Sequence, residues 1–398
     1  MPRTFGRVAV APAALVAEAS APRVDERVDD HATAEAEERN PIADMPLLTV
    51  GMIVCLVLVF GLEHRFAFDI DQKGNLSVES LVAFGATSRD LIFGAGGVWR
   101  LFLGPLLHAS NSHLIGNCVA MFLVGARFEA MIGRGWFAAI FLVSAFGGEI
   151  GSLVGNPPNI PGVGASGAIS GLIGALLIIS FHHRADPLEQ AGMRKTALFF
   201  GVPAIAPLFF GATGNTDYFA HLGGAIAGAG MALTICMIWA DDLRLPQFAK
   251  PAAIAAALGL GFSSVSVAFA ATGYQERALV AAQLIPSKNL PEFKKLTDAM
   301  TVEFLRKYPK DPMSHVMRAV WLEPRSMGAA EGALRMAVTL AEVDGIRPHT
   351  VALSRPMLAV IVAEQGRRDE ALRLIQGTCG GKTPPDILKM LKKAALCA

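Results

Sequence analysis

The sequence predicts an all-α protein: a polytopic membrane helix bundle followed by a soluble α-helical domain. Three observations carry this. Of its 398 residues 53% are hydrophobic and only 17% charged, with a mean hydropathy of +0.44, whereas a soluble domain carries about 25% charged residues. Apolar runs near the length of about 20 residues that crosses a bilayer recur from Pro46 to Ala271. Beyond Gly273 the apolar positions take helical spacing among charged ones. The formal net charge of +1 offers no basic field to gather nucleic acid. Five Cys are too few for a disulfide framework; Cys55, Cys118 and Cys236 fall in apolar runs, which leaves Cys379 and Cys397 as a pair for an oxidising compartment.

Taken in order, residues 1–44 are rich in Ala, Pro, Asp, Glu and Arg, nearly without aromatics. This composition buries too little apolar surface to order itself and reads as a disordered tail. The apolar run from Val8 is interrupted by Pro12 and is not read as a cleaved signal. Seven spans are expected, near Pro46–Leu62, Leu114–Ala126, Phe137–Val154, Val163–Phe181, Ala197–Ala212, Tyr218–Trp239 and Ala252–Ala271. Pro203 and Pro207 predict a kink in the fifth. The segment Glu63–Ser112 is too polar to span and too apolar to be a free linker, so it is expected to form a partly embedded loop. Lys and Arg of short loops stay on the cytoplasmic side. Arg127 and Arg134, then Arg184, Arg194 and Lys195, then Arg244 and Lys250 all follow even-numbered spans. The amino terminus is therefore expected inside, and residues 273–398 outside. In that last segment, Leu358–Gly366 and Asp369–Ile375 loosely resemble one helix-turn-helix unit of a tetratricopeptide-type repeat, with Glu331–Ala337 as a fainter copy.

Polar residues in spanning helices are costly and are functional suspects by default. His113 and Asn117 open the second span, Ser166 the fourth and His221 the sixth. Even-numbered helices run in one direction, so parity alone gathers these four groups at one membrane face. His113 and Asn117 are also i and i+4, hence on one helix face. A serine becomes nucleophilic when a base takes its proton, and His221 is the one His on a neighbouring parallel helix. Asn117 and His113 could then donate to an oxyanion. The alternatives stand beside this. Gly164–Gly167 also reads as a small-residue packing face, and a membrane His serves equally in proton relays. His108 with His113 lacks the HExxH pattern or a third ligand, so no metal and no cofactor is expected.

Residues from about 80 to 240 resemble the rhomboid intramembrane serine proteases. The family's Trp-Arg loop motif matches Trp99-Arg100, and its His, His, Asn pattern matches His108, His113 and Asn117. Gly125, Glu129 and Gly133 match a further Gly-x-x-x-Glu-x-x-x-Gly motif. Gly164-Ala165-Ser166-Gly167 matches the nucleophile motif, and Ala220, His221, Gly224 and Gly228 match the motif of the general base. The resemblance implies Ser166 as nucleophile and His221 as base, with His113, Asn117 and Gly164 lining an oxyanion hole and Arg100 and Glu129 in structural roles. It also implies a six-helix core, to which the seventh span would add the six-plus-one arrangement of some bacterial rhomboids, in the bacterial inner membrane. One position departs: where the family usually packs an aromatic side chain on the catalytic His, this chain has Ser170.

The implied partners are transmembrane protein substrates within the lipid bilayer, with a surface for a protein partner on the C-terminal helical domain and none for nucleic acid. The implied activity is hydrolysis of peptide bonds in or near transmembrane segments. Its rival is a catalytically silent rhomboid-like protein that binds membrane clients. The expected division is a tail at 1–44, a membrane domain at 45–272 and a helical domain at 273–398. Removal of residues 280–398 is expected to leave hydrolysis of a short transmembrane substrate largely intact.

Overall fold

The first helix, α1 (Leu47–Phe66), starts without a capping side chain, because Pro46 precedes it. Its orphan N–H groups find a partner across the bundle. Glu129, buried on α4 (Asn111–Ile132), accepts from Leu48 N at 2.9 Å and from Thr49 N and Oγ1 at 2.7 and 2.8 Å. A carboxylate at a helix amino terminus satisfies both the orphan donors and the helix dipole. The Gly at position 125, one turn earlier on α4, lets Thr49 and Phe137 approach. We expect Glu129→Ala to strand these three donors and destabilise the protein by on the order of 3 kcal/mol, read as a lower Tm in detergent with activity falling alongside. Activity lost at unaltered Tm would contradict a purely structural role.

The structure is a computed structural model that describes residues 45–71, 73–94, 97–158, 160–182, 187–210, 216–239, 245–342, 347, 350–376, 378–379 and 385–397. The expected tail at 1–44 and the loop residues Arg184 and Arg244 lie outside the described residues. The fold is an all-α polytopic bundle. Among the described residues six helices are long and apolar enough to cross a membrane: α1, α4, α5 (Arg134–Gly155), α7 with its short continuation α8 (Pro187–Ile205 and Pro207–Phe210), α9 (Tyr218–Ile238) and α10 (Ala249–Thr272). Between α5 and α7 lies a shorter apolar helix, α6 (Ser166–Ile179).

Hydropathy located the spans but misjudged their ends. The second begins at Asn111 rather than Leu114, since Ser110 caps it by accepting from His113 N at 3.2 Å. The fifth begins ten residues before its apolar run, at Pro187, because a helix continues through polar residues wherever its backbone bonds continue. Pro207 marks its break, as the proline pattern predicts.

The packing is built around α6, which is apolar on every side and buries ten of its 14 residues. Such a helix belongs in the middle of a bundle, and α5 and α9 flank it closely. Phe128, Phe137, Ile140, Leu172 and Ile235 fill the membrane core. At 1.5 Å per residue the 14 residues of α6 span about 21 Å, short of the ~30 Å hydrocarbon core. Helix α10 packs outside α5, where Trp136 Nε1 donates to Gln247 O at 2.7 Å.

The segment between α1 and α4 folds as the irregular loop expected of it. It holds α2 (Val78–Phe84), a π turn at Asp90–Gly94, α3 (Arg100–Leu103) and a 3-10 turn at Gly104–Leu106. Leu76, Leu81, Ala86, Ile92, Leu103 and Leu107 are buried. Arg100 Nη1 donates to Val82 O and Ala86 O, which ties α2 to α3.

After α10 come α11 (Tyr274–Ala281), α12 (Asp298–Lys307), α13 (Pro312–Leu322), α14 (Met327–Glu342), α15 (Val351–Glu364), α16 (Arg368–Leu374) and α17 (Pro385–Lys393). They enclose a second core of Val316, Leu334, Leu358, Val362, Ala371 and Leu391. Gly366, at φ +84°, turns the chain between α15 and α16. Arg335 and Arg367 join Glu331 of α14 to Glu370 of α16, and these guanidiniums hold the Glu370 carboxyl below its ordinary range. Cys379 and Cys397 form a disulfide.

Candidate active site

The four polar groups singled out in the sequence stand at the amino-terminal ends of α4, α6 and α9. Three helices meet there on backbone. The α-carbon of Gly148 on α5 faces Gly167 and the carbonyl of Ala220, and Gly167 faces that same carbonyl. Ser166 and His221 are each one residue from this contact. One turn further, a Cβ on Gly224 would sit 1.9 Å from Gly167 O, and one on Gly228 would sit 2.0 Å from Gly171 O. Backbone atoms cannot yield as side chains do, so Gly224→Ala should force α9 away from α6. We expect turnover at least tenfold lower and a depressed Tm; wild-type turnover in that variant would show that the close approach is dispensable.

His221 is buried, and its orientation comes from a broken helix. Pro207, which has no N–H to continue the ladder, ends α7, and His221 Nδ1 lies 2.8 Å from Ala204 O in its last turn. A carbonyl can only accept, so Nδ1 carries the proton. In the neutral ring Nε2 is then the bare nitrogen, available as a base. The ring also meets Tyr218 edge-on at 5.9 Å. Tyr218 thus supplies an aromatic neighbour that Ser170, buried on α6, does not. The helix start is fixed by Asp217, whose Oδ1 accepts from Ala220 N at 2.9 Å and whose Oδ2 accepts from Ser152 Oγ at 2.5 Å. This carboxylate is therefore spent on capping α9 and joining it to α5.

His113 and Asn117 stand over the loop that precedes Ser166. Gly164 has φ +122°, and a Cβ there would lie 2.6 Å from His113 Cε1 and 3.6 Å from Asn117 Nδ2. Only glycine combines that backbone conformation with that approach. Its own N–H, however, donates to Gly104 O at 2.9 Å. Its amide is thus engaged with the first loop, and what Gly164 gives the neighbouring His113 and Asn117 is room. The Ser166 backbone N–H, at the start of α6, remains a donor suited to an oxyanion.

His108 orients Asn117. Its Nδ1 lies 3.2 Å from Leu106 O, which can only accept, so in the neutral ring Nε2 accepts from Asn117 Nδ2 at 2.9 Å. The His108 backbone N–H in turn donates to the buried Glu63 carboxyl group of α1 at 3.2 and 3.3 Å. On the far side of the Ser166 loop, Thr87 and Gly162 exchange backbone bonds at 3.0 and 2.7 Å, and Thr87 Oγ1 donates to Glu149 at 2.5 Å. Trp99 stacks under Arg100, at 4.6 Å from ring to guanidinium carbon.

Sequence reasoning brought Ser166, His221, His113 and Asn117 to this end of the bundle, with His108 known only as a motif match. It missed Glu63, Asp217, Glu149 and the Ala204 carbonyl. Asp217 carried a signal, an Asp just before an apolar helical run, which is a capping position; a carbonyl partner carries none. Among the described residues no group of three or more His, Cys, Asp or Glu could hold a metal ion.

The sequence is similar to that of known proteins. Residues 95–238 match the model of the rhomboid domain. Over 238 residues, 59% of this chain and 43% of the relative, the sequence is 35% identical to the rhomboid protease GluP of Bacillus subtilis (strain 168). It is 30% identical to RHOMBOID-like protein 1 of Arabidopsis thaliana, over 47% of this chain and 49% of that protein. It is 27% identical to the rhomboid protease AarA of Providencia stuartii, over 48% of this chain and 73% of that protein. The chain spans less than half the length of the first two. Residues 95–238 thus resemble a rhomboid domain, and the relatives support a place among the rhomboid proteins.

Proposed function

We propose that the chain is an intramembrane serine endopeptidase of the rhomboid type. The observation that supports this reading is the meeting of α5, α6 and α9 at Gly148, Gly167 and Ala220, the chain neighbours of Ser166 and His221, together with the commitment of His221 Nδ1 to Ala204 O. In the reaction, His221 Nε2 takes the Ser166 Oγ proton as Oγ attacks the scissile carbonyl carbon. The carbonyl oxygen becomes an oxyanion held by Asn117, His113 and the Ser166 N–H. The tetrahedral intermediate collapses, the peptide C–N bond breaks and His221 gives its proton to the leaving amine. Water, deprotonated by the same nitrogen, then hydrolyses the acyl-enzyme.

The candidate groups lie at the amino-terminal ends of α4, α6 and α9; with the short helix α6 starting below the membrane surface, a substrate must present extended backbone there. Transmembrane segments with Gly, Pro and other poor helix formers near their outer end suit this site. The seven crossings are α1, α4, α5, α6, α7, α9 and α10, with the amino terminus in the cytoplasm of a bacterial cell and residues 273–398 outside. The Cys379–Cys397 disulfide supports that side, since such bonds persist in oxidising compartments. The paired helices α13–α14 and α15–α16 support a tetratricopeptide-like reading of the outer domain, which would hold exposed parts of substrates or a partner.

The test is co-expression with a panel of single-pass membrane proteins. Fragments that appear with the wild-type chain and vanish with Ser166→Ala are expected. Fragments that persist with Ser166→Ala would overturn the reading, and a panel left uncut by the folded wild-type chain would favour the catalytically silent alternative.

A further inference from the structure

Resting on that reading of the site, we infer that the C-terminal extension positions the candidate active site through the first loop, with Arg347 as its principal positioning residue. The loop of residues 67–110 has little regular structure, yet it holds the site at three points. Gly104 O receives the Gly164 N–H, Thr87 pairs with Gly162, and His108 holds the Asn117 amide. Whatever fixes this loop therefore fixes the nucleophile loop and the oxyanion donors.

Much of its outer side is fixed by elements that follow the rhomboid domain. On α10, Ser263 Oγ donates to Phe102 O at 3.2 Å, and the Phe262 and Phe102 rings stack at 5.4 Å. At the start of α11, Tyr274 Oη donates to Phe66 O at 2.7 Å and its ring meets Phe68 at 5.0 Å. Farther on, Ser287 N donates to Asp69 Oδ2 at 2.5 Å.

Arg347 joins the two sides with full charges. Its guanidinium contacts Glu79 of α2 through Nε at 2.7 Å, Asp311 through Nη1 at 2.9 Å and the Ile285 carbonyl through Nη2 at 2.7 Å. The residue is 6% exposed and has φ +48°, a region in which a bulky residue persists only when its surroundings hold it. Asp311 is completely buried and also receives the Ile285 and Met313 N–H groups, so its position is set within the extension. A cavity of about 210 Å³, lined in part by Phe68, Asp69, Glu79, Tyr308 and Arg347, remains at this seam. The seam is thus joined by ion pairs and hydrogen bonds as well as by ring contacts, and losing the charge that bridges Glu79 and Asp311 should release the loop. This replaces the expectation that residues 280–398 are dispensable for a short substrate.

The experiment uses the full chain in proteoliposomes with a short transmembrane substrate, and compares wild type with Arg347→Met, Arg347→Lys, Glu79→Gln, Tyr274→Phe and Ser166→Ala. Values of kcat and KM are measured together with amide exchange of residues 66–86. Arg347→Met should lower kcat at least tenfold with KM within twofold, and speed exchange in the loop. Arg347→Lys should recover part of both, and Glu79→Gln and Tyr274→Phe should lower kcat two- to fivefold. Unchanged kcat, with or without faster exchange, overturns the inference, as does a rise in KM alone. If Arg347→Met does not fold, Glu79→Gln and Tyr274→Phe decide by the same criteria. Ser166→Ala keeps the two claims apart: residual wild-type turnover there refutes the serine mechanism, and loop exchange in the other variants then decides whether the extension grips the loop.

Discussion

Ser166→Ala and His221→Ala should each lower turnover by about a thousandfold or more while the protein stays folded and inserted. Neither change opens a large void. Ser166 is only half-buried at the start of α6, and α9 keeps its Asp217 cap and its glycine contacts without the imidazole. The two residues act as one unit, so the double variant should be little worse than either single one. Steady-state cleavage of a transmembrane substrate, with circular dichroism and Tm beside it, checks this. More than a few per cent of wild-type turnover in both single variants would refute the dyad.

Asn117→Ala should cost about a hundredfold in kcat with KM nearly unchanged, because an oxyanion donor acts mainly when charge develops on the carbonyl oxygen. His108→Ala should follow it in direction by a different route. It leaves the donor in place but removes the ring nitrogen that orients the Asn117 amide. If Asn117→Ala instead raises KM at constant kcat, the residue docks substrate and its assigned role is wrong.

The spans and the gathering of Ser166, His113, Asn117 and His221 were legible because two strong constraints write them into sequence. Lipid demands long apolar runs, and parity fixes which helix ends share a face. Gly366 was legible as a turn from its place between two apolar helical runs, whereas Cys379 and Cys397 were legible only as a pair conditional on an oxidising compartment. What stayed hidden is contact between a side chain and distant backbone. Nothing in the order of residues says that Ala204 O receives His221, that Glu63 holds the His108 N–H, or that Glu129 caps α1. Helix ends were misplaced where polar residues such as Asn111 and Glu189 continue a helix beyond its apolar run. The Glu79–Arg347–Asp311 bridge was invisible because each member looks like an ordinary surface charge until the fold buries Arg347 and Asp311 and brings Glu79 against them.

The central claim is that Ser166 is a nucleophile activated by His221. Its most direct test treats the detergent-solubilised, folded chain with a serine-reactive fluorophosphonate and maps the modified peptide. A single adduct on Ser166 is expected, formed by wild type and by Arg347→Lys but not by His221→Ala. An unlabelled Ser166 in the folded wild-type chain, or equal labelling when His221 is replaced, would contradict it.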